Sequence, residues 1–562
     1  MSRIVDASAE LPAIAADIVA DDSSVLCQPQ QNYGAVTPPT EDDDLKGYAL
    51  PHTQLNVVLS SLFMASYLAA LDTTVVTALL TLIASDLDAV GNISWIATAY
   101  LLSSAALQPI FGKLSDIFGR RILLLGCTVL FGIGCLICAT DSLLWLVIGR
   151  FVTGCGGSGM TSLGTIAMSD LIPLRDRGYY QGLANVCFGL GSASGGILGG
   201  IVADALGWKY VFILQVPLSM LVTAGLYFNL RLPEGSPGLG AKGTDFKDKL
   251  KRIDFLGAFC LVTCLMAFLV AASLGGKDIA YSSKLFIGLC ITSAFFLGAF
   301  IVTELYIAPE PIIPLELLAV RTIIASSLTN WFYTMSFFTI LFYVPVFYAS
   351  VMDFTATQNG LRLVPNFFAA SGGSVCAGIY MKRTGKYWTL TAIVGLFAVL
   401  GTLQVYAITP QIPTWKQFVI LLPVGFAYSW MLTVTLLALI AAVPIKFQAC
   451  TTSIQYTFRS TGSTLGVAIA SAIFQNVLRI GLNSRIHDLV PDYDKALKII
   501  QRALENTDYV NEAPKIVQQA IRDSYALACK GAFGFSVATI LLGYISSLFM
   551  REHKLHTSVN RD

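Results

Sequence analysis

Gly112-Lys113-Leu114-Ser115-Asp116-Ile117-Phe118-Gly119-Arg120-Arg121 joins two long apolar stretches, and Gly378-Ile379-Tyr380-Met381-Lys382-Arg383-Thr384-Gly385-Lys386 joins two more, far along the same chain. Each copy has a glycine, a second glycine seven residues on, and a basic residue directly after it. Spacing and loop position agree, so the recurrence predicts two homologous six-helix halves with two further helices inserted between them. Parallel repeats of this kind place a substrate site near the bilayer midplane, between halves that rock.

Composition points the same way. The chain has 562 residues, 55% of them hydrophobic and 13% charged, with a mean hydropathy of +0.67. That charged share is about half the ~25% usual in a soluble globular protein. Fourteen apolar stretches follow one another between residues 55 and 550, each long enough to cross a ~30 Å hydrocarbon core as a helix. The expected fold is an all-α membrane protein of fourteen transmembrane helices, with the lipid bilayer as its first partner. Residues 1–50 read as a disordered acidic cytoplasmic tail, 51–230 as the first half, and 231–322 as a linker with two inserted helices. Residues 323–550 read as the second half, with an outer or luminal loop at 478–525, and 551–562 as a second cytoplasmic tail. Within that loop, 495–505 has helical apolar spacing.

Basic residues set the orientation. With the N-terminus inside, the inner loops hold sixteen lysines and arginines against five in the short outer loops, as the positive-inside rule requires. Both termini are therefore expected in the cytoplasm. A net charge of +1 offers no basic field for nucleic acid. The chain has no phosphate-binding glycine loop, metal-ligand cluster or nucleophile elbow, so neither enzymatic activity nor a cofactor or metal is expected, and energy must come from an ion gradient. Cys135 and Cys138 form a CxxC inside an apolar stretch and read as small helix residues. The sequon Asn92-Ile93-Ser94 sits almost at the membrane surface and is expected to be unused.

Charges within the spans are costly and each needs a reason. Asp72 reads as a proton-titrating or cation-binding carboxylate, or else as a packing anchor bonded to nearby hydroxyls. Arg150 is its natural partner and cannot itself release a proton; it reads as part of proton coupling or as a structural ion pair. Arg459 could hold a substrate carboxylate bidentately or brace the inner gate. Asn185, Gln215, Asn330 and Asn366 are candidate cavity residues or interhelical glue. Gly112, Asp116, Gly119, Arg120 and Arg121 read as a conformational latch between helix ends. All four histidines lie outside the spans, so no histidine proton relay is expected there.

These motifs resemble the major facilitator superfamily, in particular its fourteen-helix drug:proton antiporter branch, over roughly residues 55–550. Residues 112–121 match its loop 2–3 motif. Leu71-Asp72-Thr73-Thr74-Val75-Val76 looks like the helix 1 motif, and Arg150 with Gly154 like the helix 4 motif. Gly191, Gly195, Gly199 and Gly200 resemble the helix 5 antiporter motif, although Gly196 stands where that motif has proline. The stretches from Asp170 to Gly182 and from Thr457 to Gly466 look most like fungal vacuolar amino-acid transporters of the Vba and Fnx type. The resemblance implies a proton-coupled carrier of small molecules, namely amino acids and in particular basic ones, in the vacuolar membrane and acting as a monomer. A plasma-membrane exporter of drugs or organic cations is the rival, which the aromatic-rich stretch 331–348 keeps open. A non-transporting nutrient receptor on the same fold is a third reading.

Overall fold

The computed structural model describes residues 51–87, 93–232, 237–240, 246–275, 281–308, 310–354, 356–444, 447–490, 493–505, 513–553 and 555. The tail 1–50, Asn92 of the sequon and most of 554–562 lie outside the described residues.

The regular elements are helices, and each expected span falls on one. The first six are α1 (His52–Asp86), α2 (Ile93–Phe118), α3 (Arg120–Cys138), α4 (Leu143–Leu171), α5 (Leu174–Leu206) and α6 (Gln215–Asn229). The inserted pair is α7 (Phe255–Leu274) and α8 (Lys284–Val302). The last six are α9 (Arg321–Met352), α10 (Ala356–Thr384), α11 (Trp388–Tyr406), α12 (Leu422–Ala441), α13 (Gln448–Leu489) and α14 (Lys515–Leu548). Among the described residues, twelve helices are long and apolar enough to cross a membrane by length and composition. The two outside that set, α2 and α10, carry the repeated glycine motif and an internal proline, Pro109 and Pro365. Both face the other half as well as their own. The fourteen-span count is consistent with this arrangement.

Packing repeats with the sequence. In the first half α1 lies on α5, α4 and α6, while α3 packs between α4 and α6 and α2 lies on α4. Each of these pairs recurs eight helices later: α9 lies on α13, α12 and α14, α11 packs between α12 and α14, and α10 lies on α12. Each half encloses its own large apolar core. The halves meet where α5 lies on α10 and α2 on α13, and α7 packs against both α2 and α13.

Glycine permits the tightest approaches, as is usual between membrane helices. A Cβ on Gly134 would stand 2.6 Å from the Thr153 nitrogen, and one on Gly156 would stand 2.5 Å from that of Phe131. The repeat glycines Gly119 and Gly385 have φ of 95° and 68°, so both loops turn through the left-handed region that favours glycine.

The stretch 478–525 is more helical than a long loop. α13 continues to Leu489, α14 begins at Lys515, and a short amphipathic helix, Tyr493–Glu505, lies between them. Its apolar face supplies Ala496, Ile500 and Ala503 to the core that holds Leu482, Ile486, Val517 and Ile521. The Tyr525 hydroxyl donates to the Ala503 carbonyl at 2.6 Å.

Candidate functional site

Asp72 on α1 and Arg150 on α4 form an ion pair enclosed by the first half. Arg150 Nη1 donates to Asp72 Oδ2 at 2.6 Å, with the two residues 0% and 1% exposed. Arg150 Nε also donates to the Ile96 carbonyl at 3.4 Å, and its guanidinium lies 4.6 Å over the Tyr100 ring. The other carboxylate oxygen, Oδ1, has no hydrogen-bond partner. A buried ion pair is a weak source of stability because desolvation offsets the attraction, and an orphaned acceptor adds ~1–3 kcal/mol of cost. A proton placed on Oδ1 would neutralise the carboxylate and leave Arg150 enclosed without its counter-ion. The glycines of α4 make the enclosure possible, since a Cβ on Gly149 would stand 2.8 Å from the Cys138 nitrogen.

A second set of polar contacts crosses between the halves. On α5 and α10, Gly178 and Gly378 meet backbone to backbone, and Asn185 Nδ2 donates to Ser374 Oγ at 2.7 Å. Ser374 in turn bonds Thr433 of α12 at 2.5 Å. On α2 and α13, a Cβ on Gly112 would stand 2.7 Å from the Ala449 carbonyl oxygen. Lys382 pairs with Asp176 at 3.0 Å, and Arg177 Nη1 donates to Gln448 Oε1 at 3.1 Å. Deeper along the same seam, Thr165 of α4 bonds the Tyr456 hydroxyl of α13 at 2.7 Å. Arg459, one turn further along α13, is half-buried. Its guanidinium lies 5.7 Å from the Phe188 ring of α5 and 6.0 Å from the Tyr456 ring. No described acidic side chain pairs with it.

At the repeat-loop end, Arg120 binds Asp116 at 3.1 Å and Asp170 at 2.5 Å, while Arg121 donates to the Tyr227 carbonyl at 2.5 Å. These bonds tie α2, α3, α4 and α6 together within one half. The cluster of Asp116, Arg120 and Arg121 therefore lies within the first half, while Lys382–Asp176 and Arg177–Gln448 bridge the halves at this end. The inserted pair adds a further tie. Glu310, just beyond α8, binds Lys113 at 2.9 Å and Arg252 at 2.7 Å. Glu304 accepts from the Ile312 amide at 3.0 Å, and Cys450 Sγ of α13 donates to the Ile312 carbonyl at 3.2 Å.

Residues 62–467 match the sequence model of the Major Facilitator Superfamily. The chain belongs to that superfamily. It is 32% identical over 94% of its length to the vacuolar membrane amino acid uptake transporter fnx2 of Schizosaccharomyces pombe, covering 90% of that protein. It is 34% identical over 90% of its length to the multidrug resistance protein fnx1 of the same yeast, covering 94% of it. It is 29% identical over 95% of its length to the vacuolar basic amino acid transporter 1 of Saccharomyces cerevisiae, covering 98% of it. Among solved structures, the proton:xylose symporter XylE aligns with a TM-score of 0.56 at 13% identity, over 90% of this chain and 98% of that one. The likeness to XylE concerns the fold alone. The chain is thus a multi-pass membrane transporter of small molecules and not an enzyme.

Within this superfamily member, the remaining candidates divide by location. Asn185 alone of the four amides bonds across the halves. Asn330 Nδ2 donates to the Gln455 carbonyl at 3.0 Å inside the second half, and Gln215 Nε2 donates to the Val211 carbonyl at 3.2 Å inside the first. Asn366 packs against Gly425 of α12. Gly191, Gly195 and Gly199 seat α5 on α1 beside Tyr67, Leu71 and Val75, whereas Gly200 has open space beside it. Of the aromatic residues of 331–348, Tyr333, Phe337, Tyr343, Phe347 and Tyr348 are buried in the second core, and Phe337 stacks on Tyr428 with centroids 3.9 Å apart. Sequence reasoning assigned no role to Asp170, Arg177, Phe188, Ser374, Gln448 or Tyr456. Asp170 and Arg177 were visible as charges at the end of a span, but their partners lie far away in the chain.

Proposed function

We propose that this chain is a proton-coupled carrier of amino acids, basic ones included, in the vacuolar membrane, acting as a monomer with both termini in the cytoplasm. The observation that carries the reading is the enclosed Asp72–Arg150 pair with its orphaned carboxylate oxygen. The relatives named for vacuolar amino-acid transport support the cargo class and the membrane. Residues 51–230 and 323–550 are the two moving halves, and 231–322 is the linker with its inserted helices.

Protonation of Asp72 removes its attraction for Arg150 and lets α4 move against α1. The same helix carries Thr165, bonded to Tyr456 beside Arg459, so the shift reaches the seam. Opening at the cytoplasmic end then separates Lys382 from Asp176 and Arg177 from Gln448. The Asp116–Arg120–Asp170 cluster moves as one piece with the first half.

The test is uptake of labelled arginine, lysine and histidine into sealed vacuolar vesicles, with and without an imposed proton gradient. Parallel vesicles carry Asp72→Asn, with flux normalised to folded transporter. Gradient-driven uptake that is lost in Asp72→Asn is the expected result. Uptake no greater than in vesicles lacking the protein overturns the reading and moves the case to the alternative, export of drugs or organic cations at the plasma membrane; one relative, fnx1, is named for multidrug resistance.

A further inference from the structure

Arg459 is a permanent cation at membrane depth whose contacts are two aromatic rings, Phe188 across the seam and Tyr456 on its own helix. The rings are held in place: Tyr456 by Thr165 at 2.7 Å, and Phe188 by its position on α5 one turn beyond Asn185, which is bonded to Ser374. A guanidinium without a counter-ion in this setting is costly, and ring faces recover only part of that cost. Arg459 also keeps accessible surface, so its donors are not enclosed as those of Arg150 are. The buried acids nearest in role are already occupied, Asp72 by Arg150 and Asp170 by Arg120.

We propose that Arg459, flanked by Phe188 and Tyr456, receives the α-carboxylate of the cargo, and that the carrier sorts by this carboxylate and not by the charge on the side chain. The inference rests on the amino-acid reading above and narrows it. A planar fork of donors matches a carboxylate bidentately, which supplies the missing anion. Asp72 and Asp170 are committed to Arg150 and Arg120, which leaves neither to read an ammonium or guanidinium on the far end of the cargo. Neutral and basic amino acids should therefore compete for one site, and amines lacking the carboxylate should not enter it.

The experiment is competition against labelled arginine in sealed vesicles of the unaltered protein, using unlabelled lysine, leucine, glutamine, agmatine, cadaverine and arginine methyl ester. Lysine, leucine and glutamine are expected to inhibit within about tenfold of arginine. The two amines and the ester are expected to be weaker by a further factor of roughly ten or more, because a site built to bond a group rejects analogues that lack it. Arg459→Lys should raise KM for arginine while keeping the preference for arginine over agmatine, and Phe188→Leu should raise KM by a smaller factor. Agmatine matching arginine, or leucine failing to compete while lysine does, overturns the carboxylate rule and leaves amino-acid transport standing. If neither labelled arginine nor, in parallel vesicles, labelled leucine accumulates, the amino-acid reading falls and takes the rule with it.

Discussion

Two arginines lie deep in the membrane-spanning region, and their surroundings are opposite. Arg150 is 1% exposed, bonded to Asp72 and seated on Tyr100. Arg459 is half-buried and has ring neighbours in place of an acid. The first belongs to a closed unit inside one half. The second stands between halves, with no paired acid among the described residues. On the proposed function the contrast separates the coupling ion from the cargo, and α4 connects the two places by carrying both Arg150 and Thr165.

The largest expected effect tests that contrast directly. Asp72→Leu leaves Arg150 enclosed and unpaired, and removing one partner of a buried pair costs ~3–5 kcal/mol. Arg459→Gln removes a charge that has no protein counter-ion, so folded yield and thermal midpoint in detergent should change little while uptake falls. Equal destabilisation by the two substitutions would break the contrast. The double substitution Asp72→Leu with Arg150→Met should recover much of the lost stability without recovering transport.

The two repeat loops provide a milder comparison. Gly119→Ala and Gly385→Ala both force a side chain into positive φ, at ~1–2 kcal/mol each. At Gly119 the new Cβ also stands 3.0 Å from the Leu239 carbonyl oxygen, while at Gly385 nothing lies within 4 Å. The first substitution should therefore lower the midpoint of thermal unfolding more than the second. The reverse order would mean that the linker segment around Leu239 yields freely.

Much of this was legible in the sequence. Apolar length gave every span, because a helix in lipid must be apolar over its whole exposed surface. The repeated glycine motif gave the two halves, since both copies need the same left-handed turn. Asp72 and Arg150 were legible as a pair because intramembrane charges are few and must be compensated. Internal contacts were harder to read. Arg120 reads as part of a latch between helix ends, but its partner Asp170 lies on α4 of the same half, a pairing that no periodicity announces. Asn185 and Asn330 look alike in sequence; only the packing of α5 on α10 makes the first a cross-half contact. Phe188 is one phenylalanine among many until its ring is found beside Arg459.

The smallest effect concerns the inserted helices, which compare with the halves as a clasp compares with the parts it joins. Glu310 lies beyond α8 and binds Lys113 of α2 and Arg252. Partial burial favours its neutral form, but the bonds to Arg252 and Lys113 outweigh this and hold its pKa below the ordinary 4.5. A depressed folded value means that the contribution is fully present above the unfolded pKa and is lost as pH falls through the folded one. Partly exposed pairs of this sort contribute ~0–1 kcal/mol. The thermal midpoint of the unaltered protein should exceed that of Glu310→Gln by a constant small amount at neutral pH, and the gap should close as the pH is taken below 4.5. Added salt should narrow the gap as well, because exposed charges are screened. A gap that widens on acidification would mean that Glu310 acts as a buried acid and not as the anchor between Lys113 and Arg252, and the inserted pair would then owe its place to the apolar packing of α7 on α2 and α13 alone.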